Sequence, residues 1–106
     1  MRRAANLDQN HREIVAALTS IGATVQSLAS MGGGVPDLLC GWRGINVLIE
    51  IKPGDKPPSA RQLTADEREW HARWAGQVSV AETPEQAQEI VIAHWKACGG
   101  CDVYVK

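Results

Sequence analysis

Residues 45–52 read Ile-Asn-Val-Leu-Ile-Glu-Ile-Lys, and no other stretch constrains the fold as tightly. Side chains on a strand alternate between its two faces, so consecutive Val47, Leu48 and Ile49 put apolar groups on both. Such a strand needs cover on each side, which is the position of a central strand in a sheet flanked by helices. A second short apolar run, Val35-Pro36-Asp37-Leu38-Leu39-Cys40, precedes it, and Gly41-Trp42-Arg43-Gly44 between them carries turn chemistry. The two runs are therefore predicted to form a β-hairpin.

The remaining elements follow from period and punctuation. Residues 7–21 place Leu7, His11, Ile14, Leu18 and Ile21 at three- and four-residue steps, one face of a helix, with Asp8 as its expected N-cap and Gly22 as its stop. Residues 23–29 turn extended and are broken by Met31-Gly32-Gly33-Gly34, a mobile loop or one whose backbone something approaches closely. Residues 53–59, rich in proline and glycine, are a predicted loop. Thr64-Ala65-Asp66-Glu67 is a capping-box pattern opening a helix that carries Trp70, Arg73 and Trp74 and stops at Gly76. Val78 to Ala81 reads as a short strand, and Thr83-Pro84-Glu85-Gln86 opens a last helix running to about Ala97. Residues 101–105 read as an extended tail. The predicted order is α-β-β-β-α-β-α, an α/β domain with a mixed central sheet between helices.

Composition limits what this domain does. With 106 residues, 44% apolar and 22% charged, the sequence is that of one globular domain able to bury a core. No apolar run reaches the ~20 residues of a membrane span. The start, Met-Arg-Arg-Ala-Ala-Asn, leads into a polar helix rather than an apolar signal core, so the expected location is cytoplasmic. Three cysteines, Cys40, Cys98 and Cys101, are an odd number and are expected as thiols. Eleven Lys and Arg against 12 Asp and Glu give a net charge of -1, which excludes a generally basic nucleic-acid binder and leaves phosphate contact to a local cluster.

The polar residues inside the apolar strands carry the chemistry. Asp37 opens the second strand; Glu50 and Lys52, one residue apart near the end of the third, point from one face. Pairing Gly41 with Gly44 would set Asp37 opposite Leu48, diagonal to Glu50. A turn two residues longer sets Asp37 directly opposite Glu50. Either register brings the carboxylates within about 4.5–8 Å at Cβ. Carboxylates that close repel unless a cation lies between them or one is protonated, and paired hard oxygens suit Mg²⁺ or Mn²⁺. With Lys52 in reach of a phosphate oxygen or an attacking water, the set points to metal-assisted phosphodiester hydrolysis. A Glu-x-Lys at a strand end also occurs as a plain solvated pair, and the surrounding sequence decides between the readings.

Gly34-Val35-Pro36-Asp37-Leu38, the hairpin, and Ile49-Glu50-Ile51-Lys52 together resemble the PD-(D/E)XK nuclease signature. Over most of its length the sequence is similar to the small virus-type replication-repair nuclease (VRR-NUC) branch. The later pieces are Leu63-Thr64-Ala65-Asp66-Glu67, Trp70-His71 and Gly76-Gln77-Val78-Ser79-Val80. The resemblance implies a restriction-endonuclease-like core over residues 1–106 and a divalent-metal-dependent endonuclease acting on DNA, structure-selective for branched or flapped substrates. It implies that Asp37 and Glu50, with the carbonyl of Ile51, hold Mg²⁺ or Mn²⁺, that Lys52 activates water or stabilises the transition state, and that Glu13 on the first helix is a further carboxylate. One site per subunit implies a homodimer for cutting two strands. The family often has Gln where this sequence has Glu67, which leaves open whether Glu67 touches the site or only completes the capping box, the box being the preferred reading.

His11, Arg12, Arg43, Lys56 and Arg61 are the candidate phosphate contacts, and Trp42 at the hairpin tip is the candidate for stacking on a base. Trp70 and Trp74 are expected in the core or at a subunit interface. Two rival readings remain. One is a non-catalytic nucleic-acid-binding or scaffold protein on the same fold. The other is a zinc module from His94, Cys98 and Cys101, which lacks a fourth ligand unless Cys40 or His71 supplies it.

Overall fold

In the computed structural model, which describes residues 2–100 and the side chains from Gln9 onward, the elements are α1 (Arg2–Ser20), β1 (Thr24–Ser27), β2 (Leu38–Trp42), β3 (Ile45–Ile51), α2 (Ala65–Arg73), β4 (Val78–Ala81) and α3 (Pro84–Ala97). This is the predicted order. α1 starts earlier than expected: the Arg- and Ala-rich opening continues the helix, so Asp8 lies inside it rather than at its cap. The side chains of Leu7 and Asp8, and the tail with Cys101, lie outside the described residues. The helix stops as Gly22 predicts. Gly22, at φ 96°, donates to Thr19 O and Ala23 N–H donates to Leu18 O, a Schellman closure.

The sheet has strand order β1-β2-β3-β4, antiparallel across the first three and parallel between β3 and β4. The crossover between the parallel pair runs through α2, as such a connection requires. Part of the expected loop is a 3₁₀ turn, Pro58–Arg61. β2 sits two to three residues later than predicted. Pro36 has no N–H for the ladder, while Gly41 and Trp42 pair with Asn46 and Ile45. The turn is then only Arg43-Gly44, both at positive φ, 49° and 88°, the requirement of a type I′ hairpin.

That turn fixes the register. Leu38 pairs with Ile49, Cys40 with Val47 and Trp42 with Ile45, so these side chains share one face. On that face they meet Ile14 and Leu18 of α1 and Ala87 and Val91 of α3 in the buried core. α1 and α3 pack on each other, and α3 on β3 and β4. The opposite face carries Leu48, buried, and Leu39, 37% exposed, so helical cover of β3 is complete on one side only. Trp42 belongs to the core, not to a stacking platform. It is 7% exposed, its indole N–H donates to Ile21 O at 2.8 Å, and its ring meets Trp95 edge-on at 5.6 Å. Trp70 and Trp74 stack on each other at 4.7 Å, with Trp74 45% exposed. α2 ends at Arg73, before the expected Gly76.

The triple glycine resolves into a close approach. Gly34 has φ 86°, and a Cβ there would overlap the Asp66 carbonyl in the first turn of α2, whereas Gly33, at φ 66°, has open space beside it. Gly34→Ala should therefore cost about 3 kcal/mol, backbone strain plus overpacking, against roughly 1 kcal/mol for Gly33→Ala. Urea midpoints of the two variants check the difference, and equal losses would refute the packing role.

Candidate active site

Extending the β2–β3 register one step past Leu38–Ile49 sets Asp37 opposite Glu50, the second of the two expected registers, reached by a two-residue turn shifted by one residue rather than by a longer one. Asp37 follows the buried Pro36 just outside β2, and its Oδ2 accepts the Ile51 N–H at 2.7 Å. Glu50 is the one buried charged residue among those described, 3% exposed, and its Oε1 is buried with no hydrogen-bond partner. Burial first, and then the charge of Asp37 and hydrogen bonding to it, push the Glu50 carboxyl up from 4.5 to about 9. An acid in that position holds a proton at neutral pH unless a cation takes the proton's place.

Lys52 is fixed from three sides. Its N–H donates to Ala81 O on β4, its carbonyl accepts from Asn10 Nδ2 of α1, and its Nζ donates to Glu67 Oε1 of α2 at 2.7 Å. The same ammonium lies 3.8 Å from Glu50 Oε2. Glu67 also completes the predicted capping box with Thr64, whose hydroxyl accepts the Glu67 N–H and whose N–H donates to Glu67 Oε1. Burial alone would raise the Glu67 carboxyl. The hydrogen bonds from Lys52 and Thr64 outweigh it and hold Glu67 below the usual range.

These groups open into a cleft of about 1010 Å³. Glu13 stands exposed on its α1 wall and accepts a hydrogen bond from Gln9 at 3.2 Å. Among the described residues, carboxylates outnumber amines on the lining: Glu13, Asp37, Glu50, Asp55, Glu67, Glu82 and Glu85 against Lys52 and Lys56. A polyanion meets net repulsion there until a cation is bound.

The candidate phosphate contacts divide. His11 and Lys56 line the cleft. Arg12 is exposed on α1. Arg61 is drawn into an ion pair with Glu82 at 3.0 Å. Arg43 lies at the opposite end of β3 from Glu50, its guanidinium over Trp42 and Trp95 at 4.6 and 4.8 Å, a cation–π clamp on the hairpin.

Among the described residues no three His, Cys, Asp or Glu side chains gather into a metal cluster. The zinc reading finds no support there. His94 bonds Ser79 Oγ at 3.1 Å, Cys98 is exposed, Cys40 is buried with its thiol pushed up to about 11, and Cys101 lies outside the described residues. The Asp37–Glu50 pair passes a different test. It offers hard oxygens, and Glu50 Oε1 is a buried acceptor with nothing to accept, the donor set of one oxygen-liganded divalent ion completed by water.

One site residue escapes the sequence reading and another was left open by it. Glu67, open between the site and the capping box, makes both contacts, to Lys52 and to its cap. Asn10 contacts Lys52 across 42 residues, and no local pattern marks it.

No family profile matches the sequence, and no curated relative does. A solved structure described as "VRR_NUC domain" superposes with a TM-score of 0.59 at 19% identity, covering 82% of this chain and 95% of that one. The chain has the VRR-NUC fold. In that fold, Asp37, Glu50 and Lys52 occupy the end of the central hairpin, beside the cleft.

Proposed function

We propose that this VRR-NUC fold is a divalent-metal-dependent endonuclease that hydrolyses DNA phosphodiesters, with branched or flapped DNA as its substrate and a homodimer as its working form. One observation carries the reading: a buried, unpartnered Glu50 oxygen opposite Asp37, with a fixed ammonium 3.8 Å from the same carboxylate. A carboxylate pair without further purpose would be costly to bury.

Asp37 and Glu50, with the Ile51 carbonyl, would hold the Mg²⁺ or Mn²⁺ ion. When bound, the ion supplies Lewis-acid activation of the phosphate and lowers the pKa of water. Asp37 is already oriented by the Ile51 N–H, so one ligand is placed before binding. Lys52 presents positive charge where negative charge develops in the transition state. Lys56 and His11, on the walls, meet the flanking phosphates, and Glu13 borders the same space. The acidic lining makes cation uptake precede DNA entry.

The test is cleavage of labelled linear, flapped and four-way substrates with Mg²⁺, with Mn²⁺ and with EDTA. Cutting with either ion, abolished by EDTA and in Asp37→Ala, is expected. Equal cutting by Asp37→Ala, or none on any substrate, would refute the reading and leave a non-catalytic binding role.

A further inference from the structure

The sequence leaves Glu67 open between a helix cap and the site, and the structure gives its carboxylate both contacts. One oxygen, Oε1, accepts both the Thr64 N–H at 2.8 Å and the Lys52 ammonium at 2.7 Å. Lys52 has a long, freely rotating stem whose ordering is entropically costly. The capping box supplies the rigid point it lacks. Glu67 is fixed at both ends, by its own N–H on the Thr64 hydroxyl and by its carboxylate on the Thr64 N–H. The turn that carries it is closely approached by Gly34, where a Cβ would overlap the Asp66 carbonyl.

Resting on the nuclease reading above, we propose that Glu67 is a positioning residue for the reaction: it holds the Lys52 ammonium beside Glu50 and transmits the rigidity of the α2 cap to it. It is not a ligand of the ion. Its Oε1 is taken by two donors, and it forms no cluster of three with Asp37 and Glu50. Of the three ammonium N–H groups, the Glu67 bond occupies one and leaves the others for the phosphate side.

Three variants separate positioning from capping. Glu67→Ala loses both bonds. Thr64→Ala loses the hydroxyl half of the box but keeps the backbone N–H and the Lys52 bond. Glu67→Gln keeps an acceptor oxygen for both donors. Glu67→Ala should lower kcat roughly 10- to 100-fold with KM within about twofold, as a misplaced group does. Thr64→Ala should lose comparable thermal stability with kcat within about twofold of wild type, and Glu67→Gln should recover most of kcat. A second readout needs no turnover. A slowly exchanging Lys52 ammonium signal in ¹⁵N NMR is expected in wild type and Thr64→Ala and should vanish in Glu67→Ala. Equal kcat losses in Thr64→Ala and Glu67→Ala, or an ammonium signal indifferent to Glu67→Ala, would overturn the positioning role. A wild type that cuts nothing yet shows the signal, lost only in Glu67→Ala, would uphold the positioning and refute the nuclease reading.

Discussion

At pH 8 in EDTA, Glu50→Gln should unfold at a higher temperature than the wild type, and the same variant should bind Mn²⁺ at least 100-fold more weakly. Both effects come from one buried carboxyl. In the folded protein its pKa is pushed up to about 9, against 4.5 ordinarily, by burial and by Asp37. The folded state therefore binds that proton more tightly than the unfolded state. The resulting stabilisation is fully present below about pH 4.5, declines as the pH rises, and is gone above about pH 9. The wild type should lose stability across that window when no divalent ion is present. Glutamine has no charge to bury and should flatten the profile, with a gain of about 2 kcal/mol at pH 8, or roughly 10 °C for a domain of this size. Added Mn²⁺ should reverse the order, because an ion bound only by the folded wild type stabilises it by mass action and displaces the proton. Thermal melts at several pH values, with calorimetry in two buffers of different ionisation enthalpy, measure all of this. A wild type and a Glu50→Gln variant with parallel pH profiles and equal Mn²⁺ uptake would show that the carboxyl is an inert structural acid.

How far the sequence carries such an argument depends on the range of the interaction. The caps that open α2 and α3 and the stop of α1 were legible because their chemistry is local, whereas the start of α1 and the end of α2 were not. Thr64 and Glu67, or Thr83 and Pro84, announce a cap within four residues, and Gly22 announces a stop. The apolar doublet faces of β3 were legible because burial on both sides leaves no polar position in Val47, Leu48 and Ile49. The hairpin register was legible only as two alternatives. Whether Gly41 and Trp42 are turn or strand depends on the Trp42 ring finding Trp95 and the Ile21 carbonyl, partners 53 residues after it and 21 before it. Burial of Trp42 selects the two-residue turn, and that turn selects Asp37 opposite Glu50. The same long-range packing removed Arg43 from the candidate site, since a guanidinium clamped on two indoles holds the hairpin together. Glu67 was half legible. A motif that explains a residue completely at short range hides its second contact, and the bond to Lys52 spans 15 residues and two elements.

Lys52→Met should lower kcat by about 100- to 1,000-fold at saturating Mn²⁺, the loss typical of removing one preorganised donor to a developing charge, while Mn²⁺ uptake stays within a few-fold of wild type. The stem length is nearly conserved, so the contacts of β3 survive, and the backbone bonds of Lys52 to Ala81 and Asn10 do not involve the side chain. What disappears is the only cation within 4 Å of Glu50 among the described ion pairs. Its removal leaves the Glu67 carboxylate without the ammonium it accepts from, so the apo variant should be less stable than wild type at neutral pH and should recover on adding Mn²⁺. Arginine should not restore the function, because its planar fork cannot place a compact charge in the space that one ammonium fills between Glu67 Oε1 at 2.7 Å and Glu50 Oε2 at 3.8 Å. The expected pattern across variants separates the two components of the proposed site: Glu50→Gln should lose the ion and with it turnover, whereas Lys52→Met should keep the ion and lose turnover alone. Single-turnover cleavage and Mn²⁺ titration on the same preparations make the comparison. A Lys52→Met enzyme cutting within threefold of wild type would confine the ammonium to holding α2 against the sheet and leave the bound ion as the whole of the catalyst.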